Sequence, residues 1–449
     1  MSDLLAARSQ MGMSLAFHII FAAVGIAMPL MMVLAEWKWQ RTGDAIYLDL
    51  AKRWSKGSAI LFAVGAMSGT VLSFELGLLW PEFMRYAGAI IGMPFSLEGF
   101  AFFTEAIFLG IYLYGWERIS PRMHLLSGVM VAASGVVSGI FVVMANAWMN
   151  SPAGFRLVNG VPTDIDPIAG MLNPAAFSQT LHMSIAAYAA TGIAVAGIHA
   201  LMLRRDPTNL FHRHAMSIAL LVAVPAMIVQ PISGDISSRY VAQWQPAKFA
   251  AMEGQFRTQA GAPLRLGGIP DEEAGETRYA LEIPRGLSLL TYHDPSATVN
   301  GLDKIPRDEW PPVPIVHFAF QIMVALGTYM ALVGVWVAIV AWRNRERLYT
   351  NRRLLGAIVL ASPMGFIAIE AGWTVTEVGR QPWIIQGVMR TADAVTPMPK
   401  LIVPFIAFTL LYLLLGVVVV LLLYRQIVRS PTAETAQGDK SSGLETSSA

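Results

Sequence analysis

The sequence predicts an all-α, polytopic membrane protein of about nine transmembrane helices, with one long polar loop on the outer side. Three observations carry that reading. The composition is 55% hydrophobic and only 14% charged, with a mean hydropathy of +0.52, outside the range of ordinary soluble domains. Nine apolar stretches approach the ~20 residues that a hydrocarbon core of ~30 Å requires. Lysines and arginines alternate between rich and poor loops, as orientation in a bilayer demands.

The stretches run over 12–35, 57–80, 95–116, 124–147, 178–203, 215–233, 314–341, 354–375 and 401–424. The first is too long for a signal-peptide core and has no small-residue cleavage site, so it reads as a retained span. Basic residues crowd the loop after it (Lys38, Arg41, Lys52, Arg53, Lys56), and the next loop has only Arg85. Arg118 and Arg122 follow, then Arg156 alone, then Arg204, Arg205 and Arg213. Arg343, Arg345, Arg347, Arg352 and Arg353 lie between the seventh and eighth stretches. This places the N-terminus outside and the C-terminus inside. The expected division is helices 1–6 over 1–233, an outer loop over 234–313, helices 7–9 over 314–424 and a Ser/Thr/Gln-rich disordered tail over 425–449. No internal repeat is visible. The net charge of +2 does not point to nucleic acid, because the basic residues are loop residues.

The long loop is rich in Pro, Gly and charge and lacks sustained periodicity; a loop of that length is usually functional or disordered. Within it, 247–256 can form a short amphipathic helix whose polar members are Lys248 and Glu253. In a water-facing loop such a pair reads first as a solvated one.

There is no cysteine. Iron–sulfur clusters, c-type heme attachment, thiolate copper sites and disulfides are thereby excluded. A redox metal would have to use the eight His, the 24 Met or carboxylates, and most of the Met is apolar filling.

The chemistry gathers around Trp373–Trp383. Glu370 and Glu377 are two helical turns apart and share a face with Trp373. Arg380, Gln381 and Trp383 follow, and Pro382 is expected to stop the helix. His18, Glu98, Glu105, His182, Met323 and Glu377 all fall in the outer half of the predicted membrane. Taken singly, an intramembrane His is often a polar residue bonded to a neighbouring helix, and a Met is packing. A glutamate deep in a span needs a partner or a function. His124, His212 and His214 read as inner-loop surface or interfacial residues, and His199 lies near an inner helix end. His293 and His317 flank the outer loop. As a set these residues suit heme. His with Met is an axial pair for a low-spin iron, while a single His or carboxylate leaves a position open. Buried carboxylates can carry protons, tryptophans supply flat apolar packing, and an arginine can pair a propionate.

With these residues in place, the chain resembles subunit I of the cytochrome bd-type quinol oxidases, from His18 to the end of the ninth stretch. The resemblance rests on Gly379-Arg380-Gln381-Pro382-Trp383 with Glu377, Ser96-Leu97-Glu98-Gly99-Phe100 with Glu105, and Asn146-Ala147-Trp148-Met149. It also rests on His182, on Gln321-Ile322-Met323-Val324, and on Gly234-Asp235 followed by Lys248 and Glu253. It implies that His182 and Met323 hold a low-spin heme b. His18 and Glu377 then serve two high-spin hemes, one heme b and the other heme d or a further heme b. Trp373, Gln381 and Trp383 become heme-pocket residues, and Arg380 a heme-region cation. Glu98 and Glu105 serve as proton carriers, and Lys248 and Glu253 as quinol-loop residues. Gln321, where many relatives carry arginine, and the short loop resemble the cyanide-insensitive branch.

The implied activity is oxidation of ubiquinol at the outer surface near 235–256 and reduction of O2 to water with protons taken from inside, so that charge separates without a pump. The implied partners are a second large membrane subunit, a small single-helix subunit and the lipid bilayer of the bacterial cytoplasmic membrane. A heme-copper oxidase is rejected, because no intramembrane His–His pair is apparent. A secondary transporter would show repeats and broken helices, and none is visible. An electron-relay cytochrome b would carry only low-spin hemes and consume no oxygen.

Overall fold

The computed structural model describes residues 1–428, and among them nine helical segments are long and apolar enough to cross a membrane. In chain order the helices are α1 (Asp3–Thr42), α2 (Ala45–Leu79), α3 (Pro81–Tyr114), α4 (Pro121–Asn150), the short α5 (Pro167–Met171), α6 (Ala176–Leu203) and α7 (Leu210–Trp244). Then come α8 (Pro246–Glu253), α9 (Gly286–Tyr292), α10 (Val313–Arg343), α11 (Arg347–Thr350), α12 (Arg352–Ala361), α13 (Met364–Val378), α14 (Thr391–Ala394) and α15 (Ile402–Val428). Of the tail expected to be disordered over 425–449, 425–428 form the last turn of α15, because the helix continues past its apolar stretch, and 429–449 lie outside the described residues.

Helix starts follow local chemistry. Ser2, Asp44, Ser120, Asn209 and Asn351 each accept a backbone N–H of the first turn, satisfying donors that a helix leaves orphaned. Pro81 and Pro121 open α3 and α4, where the missing N–H costs nothing. The helices outrun the hydrophobic stretches that predict them. α1 has 40 residues, about 60 Å at 1.5 Å per residue, because its polar ends keep helical backbone beyond the apolar core. α7 likewise runs past the expected boundary at 233 to Trp244, helped by the Arg239–Asp235 pair one turn apart.

Two expectations are corrected here. The eighth span is not one continuous helix: it breaks at Ser362–Pro363, between α12 and α13. Proline offers no N–H to continue the ladder. Ser362 instead bonds Ala194 O at 3.3 Å, in a space left by the absent side chain of Gly197. Pro382 does not end this span either. α13 stops at Val378, and the stem of Lys248 packs where a side chain on Gly379 would stand.

The bundle packs α1 on α2, α3 on α4 and α6 on α7. Its main core joins Met31, Met32, Leu50, Ile193, Met216, Leu354 and Ile358. Ala189, Ala196, Ala200, Ala215, Ala219 and Ala223 let the helices approach closely, the usual solution where lipid competes equally for apolar surface. A second core, with Phe83, Ile90, Trp148, Ile384 and Ile385, closes the end of the bundle that carries the long loop.

That loop is ordered. Leu264–Leu266 pairs with Leu281–Ile283, Ile269–Asp271 with Glu276–Arg278, and Gln259–Ala260 with Thr298–Val299, all antiparallel. Strands of two or three residues are too short for period-two alternation to show in sequence. The loop is pinned to the start of α10. Gln321 accepts from Gly267 N at 3.0 Å, and His317 sets its ring nitrogens against Met252 O at 2.8 Å and Gly267 O at 3.1 Å.

Candidate functional site

His18 on α1 faces α2. Its Nδ1 is 2.9 Å from Ser68 Oγ, while that hydroxyl donates its own hydrogen to the carbonyl of Val64 at 2.9 Å. In that arrangement Ser68 is an acceptor suited to the His18 tautomer with its proton on Nδ1. Its Nε2 is left as the free ring position. The next residue on α2 is Gly69, where a Cβ would stand 3.0 Å from His18 Cε1.

His182 on α6 repeats the arrangement against α7. Its Nδ1 is 3.0 Å from Ser233 Oγ, which donates to Gln230 O at 2.8 Å. The neighbouring residue is again glycine, with a Cβ on Gly234 reaching His182 Cε1 at 3.4 Å. The Gln230 amide lies 3.2 Å from His182 Nε2. Met323 on α10 follows the same pattern, since a Cβ on Gly372 of α13 would meet its Sδ at 3.0 Å.

Glu377 sits at the end of α13 in a continuous network. Asn146 Nδ2 donates to Glu377 Oε1 at 2.6 Å, and Arg380 Nη2 pairs Glu377 Oε2 at 2.5 Å. Asn150, the last residue of α4, donates to Asn146 Oδ1 at 3.2 Å and accepts from Lys248 Nζ at 2.6 Å. Arg380 is 2% exposed, and among the described residues its Nε and Nη1 have no acceptor. Gln381 accepts from Thr391 Oγ1 at 2.9 Å, and Trp383 lies in a short ladder under the guanidinium of Arg390. Trp373 packs with Ile19, Ala187 and Ile369 between α1 and α6.

Glu98 accepts from Ser138 Oγ of α4 at 3.1 Å. Glu105, two turns on, is buried between Gly25 of α1 and Gly135 of α4, whose missing side chains make its room.

Lys248 and Glu253 correct the solvated-pair reading, because both are 4% exposed. Lys248 points inward to the α4 terminus. Burial pushes its ammonium well below the usual lysine range, Arg380 adds to that, and Glu377 opposes it. Burial raises the Glu253 carboxyl to about 7, partly offset by Arg265. Only Lys248 joins the Glu377 network; Glu253 lies at the far end of α8.

The reading of His124 and His212 as surface or interfacial residues is also corrected. His124 is 2% exposed, with Nδ1 2.9 Å from Glu36 Oε1 and Nε2 2.9 Å from Tyr112 O. His212 is buried with its Nδ1 3.0 Å from that of His199. These pairs sit at the bundle end away from the loop, where hydropathy reports only a nearby helix terminus. Sequence reading also missed Ser68, Ser233 and Asn150. Their one available signal is their position opposite a polar residue on another helix, which a single sequence does not display.

The donor set fits heme. Both imidazoles keep Nδ1 fixed by a helix-borne hydroxyl, the arrangement that orients a metal-ligating His. A glycine beside each imidazole and beside the thioether leaves room for the ligand side chain itself against the neighbouring helix. Arg380 keeps two buried donors for a carboxylate. Fold and site together define an integral-membrane helical bundle suited to holding redox cofactors between its helices.

The chain matches the family described as cytochrome bd terminal oxidase subunit I over residues 6–431. It is 36% identical to the putative cytochrome bd menaquinol oxidase subunit I of Bacillus subtilis (strain 168), over 97% of this chain and 98% of that protein. It is 31% identical to the cytochrome bd ubiquinol oxidase subunit 1 of the same organism, over 95% of this chain and 94% of that protein. The structure of bd oxidase from Geobacillus thermodenitrificans superposes with a TM-score of 0.89 at 40% identity, covering 96% of this chain and 99% of that one. The chain belongs to the cytochrome bd terminal oxidase subunit I family. It is thus a multi-pass subunit of a quinol:oxygen oxidoreductase of the respiratory chain.

Proposed function

We propose that this chain carries the hemes of the oxidase and its quinol-oxidising site. The observation that supports this best is the pair of serine-anchored imidazoles, His18 and His182, each with Nδ1 against a helix-borne hydroxyl and a glycine beside the ring. Bound heme supplies one-electron carriage and an iron centre at which O2 is reduced to water. His182 and Met323 hold a low-spin heme b. His18 and Glu377 hold the two high-spin groups, one heme b and the other heme d or a further heme b. Arg380 offers its free donors to a heme carboxylate, and Trp373, Gln381 and Trp383 wall the Glu377 side.

Quinol is oxidised at the loop face, which the alternation of basic loops assigns to the periplasm together with the N-terminus; the C-terminus is cytoplasmic. Glu253, with a pKa of about 7, is poised to take a proton from quinol at neutral pH. Glu98 and Glu105 hold and move protons arriving from the cytoplasmic face. Release on one side and uptake on the other separate charge without a pump. The working enzyme includes a second large membrane subunit and a small single-helix subunit.

The test is a dithionite-reduced minus air-oxidised visible spectrum of the purified complex, with pyridine hemochrome extraction. A long-wavelength chlorin band beside b-type bands is expected if heme d occupies a high-spin position. Only b-type bands with quinol-driven oxygen uptake would assign heme b to every position. A colourless complex would overturn the ligand assignments.

A further inference from the structure

We propose that Lys248 is a positioning residue for Glu377, acting through Asn150 and Asn146. The inference rests on the assignment of Glu377 as a heme ligand.

The argument is one of hydrogen-bond direction. Facing an amide oxygen, a lysine Nζ donates whether charged or neutral, and an ionised carboxylate only accepts. Between them stand two primary amides, each of which can present either end. Lys248 Nζ donates to Asn150 Oδ1 at 2.6 Å, which turns the Asn150 amide nitrogen toward Asn146. That nitrogen donates to Asn146 Oδ1 at 3.2 Å and to Asn146 O at 3.1 Å. Asn146 must then present its own nitrogen to Glu377 Oε1, at 2.6 Å. The donating head and the accepting tail hold both amides in one orientation. With the head removed, Asn150 can turn over, and Asn146 is released to set its oxygen against the carboxylate.

The packing agrees. Lys248 is 4% exposed, and its stem lies against Gly379, between Glu377 and Arg380 in sequence; a Cβ on Gly379 would stand 2.9 Å from Lys248 Cγ. α8 therefore docks the loop onto the end of α13. Its other ionisable residue, Glu253, is left on the loop side for quinol.

The experiment compares Lys248→Met, Asn150→Leu and the double variant in the purified complex. Each single variant is expected to shift the midpoint potential and absorption bands of one heme in the same direction, with the double variant adding nothing to either. kcat should fall by about tenfold while KM for a short-chain quinol stays within about twofold. A raised KM with unchanged potentials and spectrum in Lys248→Met, and a silent Asn150→Leu, would overturn the inference. If Lys248→Met does not assemble, Asn150→Leu, which removes no charge, decides on the same readouts. Glu377→Ala separates the two levels. If it keeps the full heme complement, the ligand assignment has failed; if it loses heme while Lys248→Met alters only KM, the positioning role alone has failed.

Discussion

Asn146 on α4 donates its side-chain amide to Glu377 on α13 at 2.6 Å across 231 positions of chain, and Arg380 takes the other carboxylate oxygen. The carboxylate is therefore aimed by two helices. Glu377→Ala is expected to lose one heme from the complex, and Asn146→Leu to keep it with affinity weakened by about 10- to 100-fold. The heme-to-protein ratio after prolonged washing measures both. Full retention in the two variants would show that Glu377 holds no heme.

Ser68 and Ser233 are expected to matter as acceptors. Each hydroxyl bonds a backbone carbonyl and sets its oxygen against a histidine Nδ1, an arrangement that favours the Nδ1–H tautomer. Ser68→Ala and Ser233→Ala should loosen different hemes, each by about tenfold or more, with a shift in that heme's potential by redox titration. Potentials identical to the parent's in both variants would remove the orientation argument.

Glu253 predicts a pH dependence with a definite sign. Burial raises its pKa from 4.5 to about 7, so the base form grows as pH rises through 7. Initial rates of quinol oxidation should climb over that range, and Glu253→Gln should flatten the climb. The stability effect runs the other way. The folded state favours the protonated carboxyl, so this contribution is fully present below pH 4.5 and is lost as pH rises through about 7, on the order of 3 kcal/mol in all. The protection factors of α8 amides, with the intrinsic pH dependence of exchange divided out, should therefore be higher at pH 5 than at pH 8, and Glu253→Gln should abolish the difference.

Glu36 and His124 form a buried pair at the opposite end of the bundle, at 2.9 Å with side-chain exposures of 0% and 3%. His124→Ala leaves Glu36 buried without that partner and is expected to cost about 3–5 kcal/mol. His124→Phe combined with Glu36→Leu removes both polar groups and should cost less than His124→Ala alone. Thermal denaturation of the purified complex ranks the three; a double variant no more stable than His124→Ala would count against the pairing.

Much of the fold was legible because hydrocarbon imposes a one-dimensional rule. A backbone that must satisfy its own hydrogen bonds in lipid is helical, and an apolar run long enough to cross announces itself. The same rule exposed Glu98, Glu105 and Glu377, since a carboxylate in such a run is out of place wherever its partner lies. The rule is silent where helices continue into water, and for that reason α7 outran its apolar stretch. It is silent too about a lysine in a polar loop, so Lys248 read as solvated until the loop was seen folded against α4.

By itself the sequence determined the class of the protein, the number of spans and the absence of thiolate chemistry, and it singled out the residues proposed to hold a heme or to carry protons. Those properties belong to single residues or to contiguous runs. Tertiary structure alone decided which serine orients which histidine, that glycines face His18, His182 and Met323, and that Lys248 reaches Glu377 through two asparagines. Such relations join helices far apart in the chain, and they depend on the rotation of each helix about its axis. That rotation is set by the packing of the whole bundle and by no local stretch of residues.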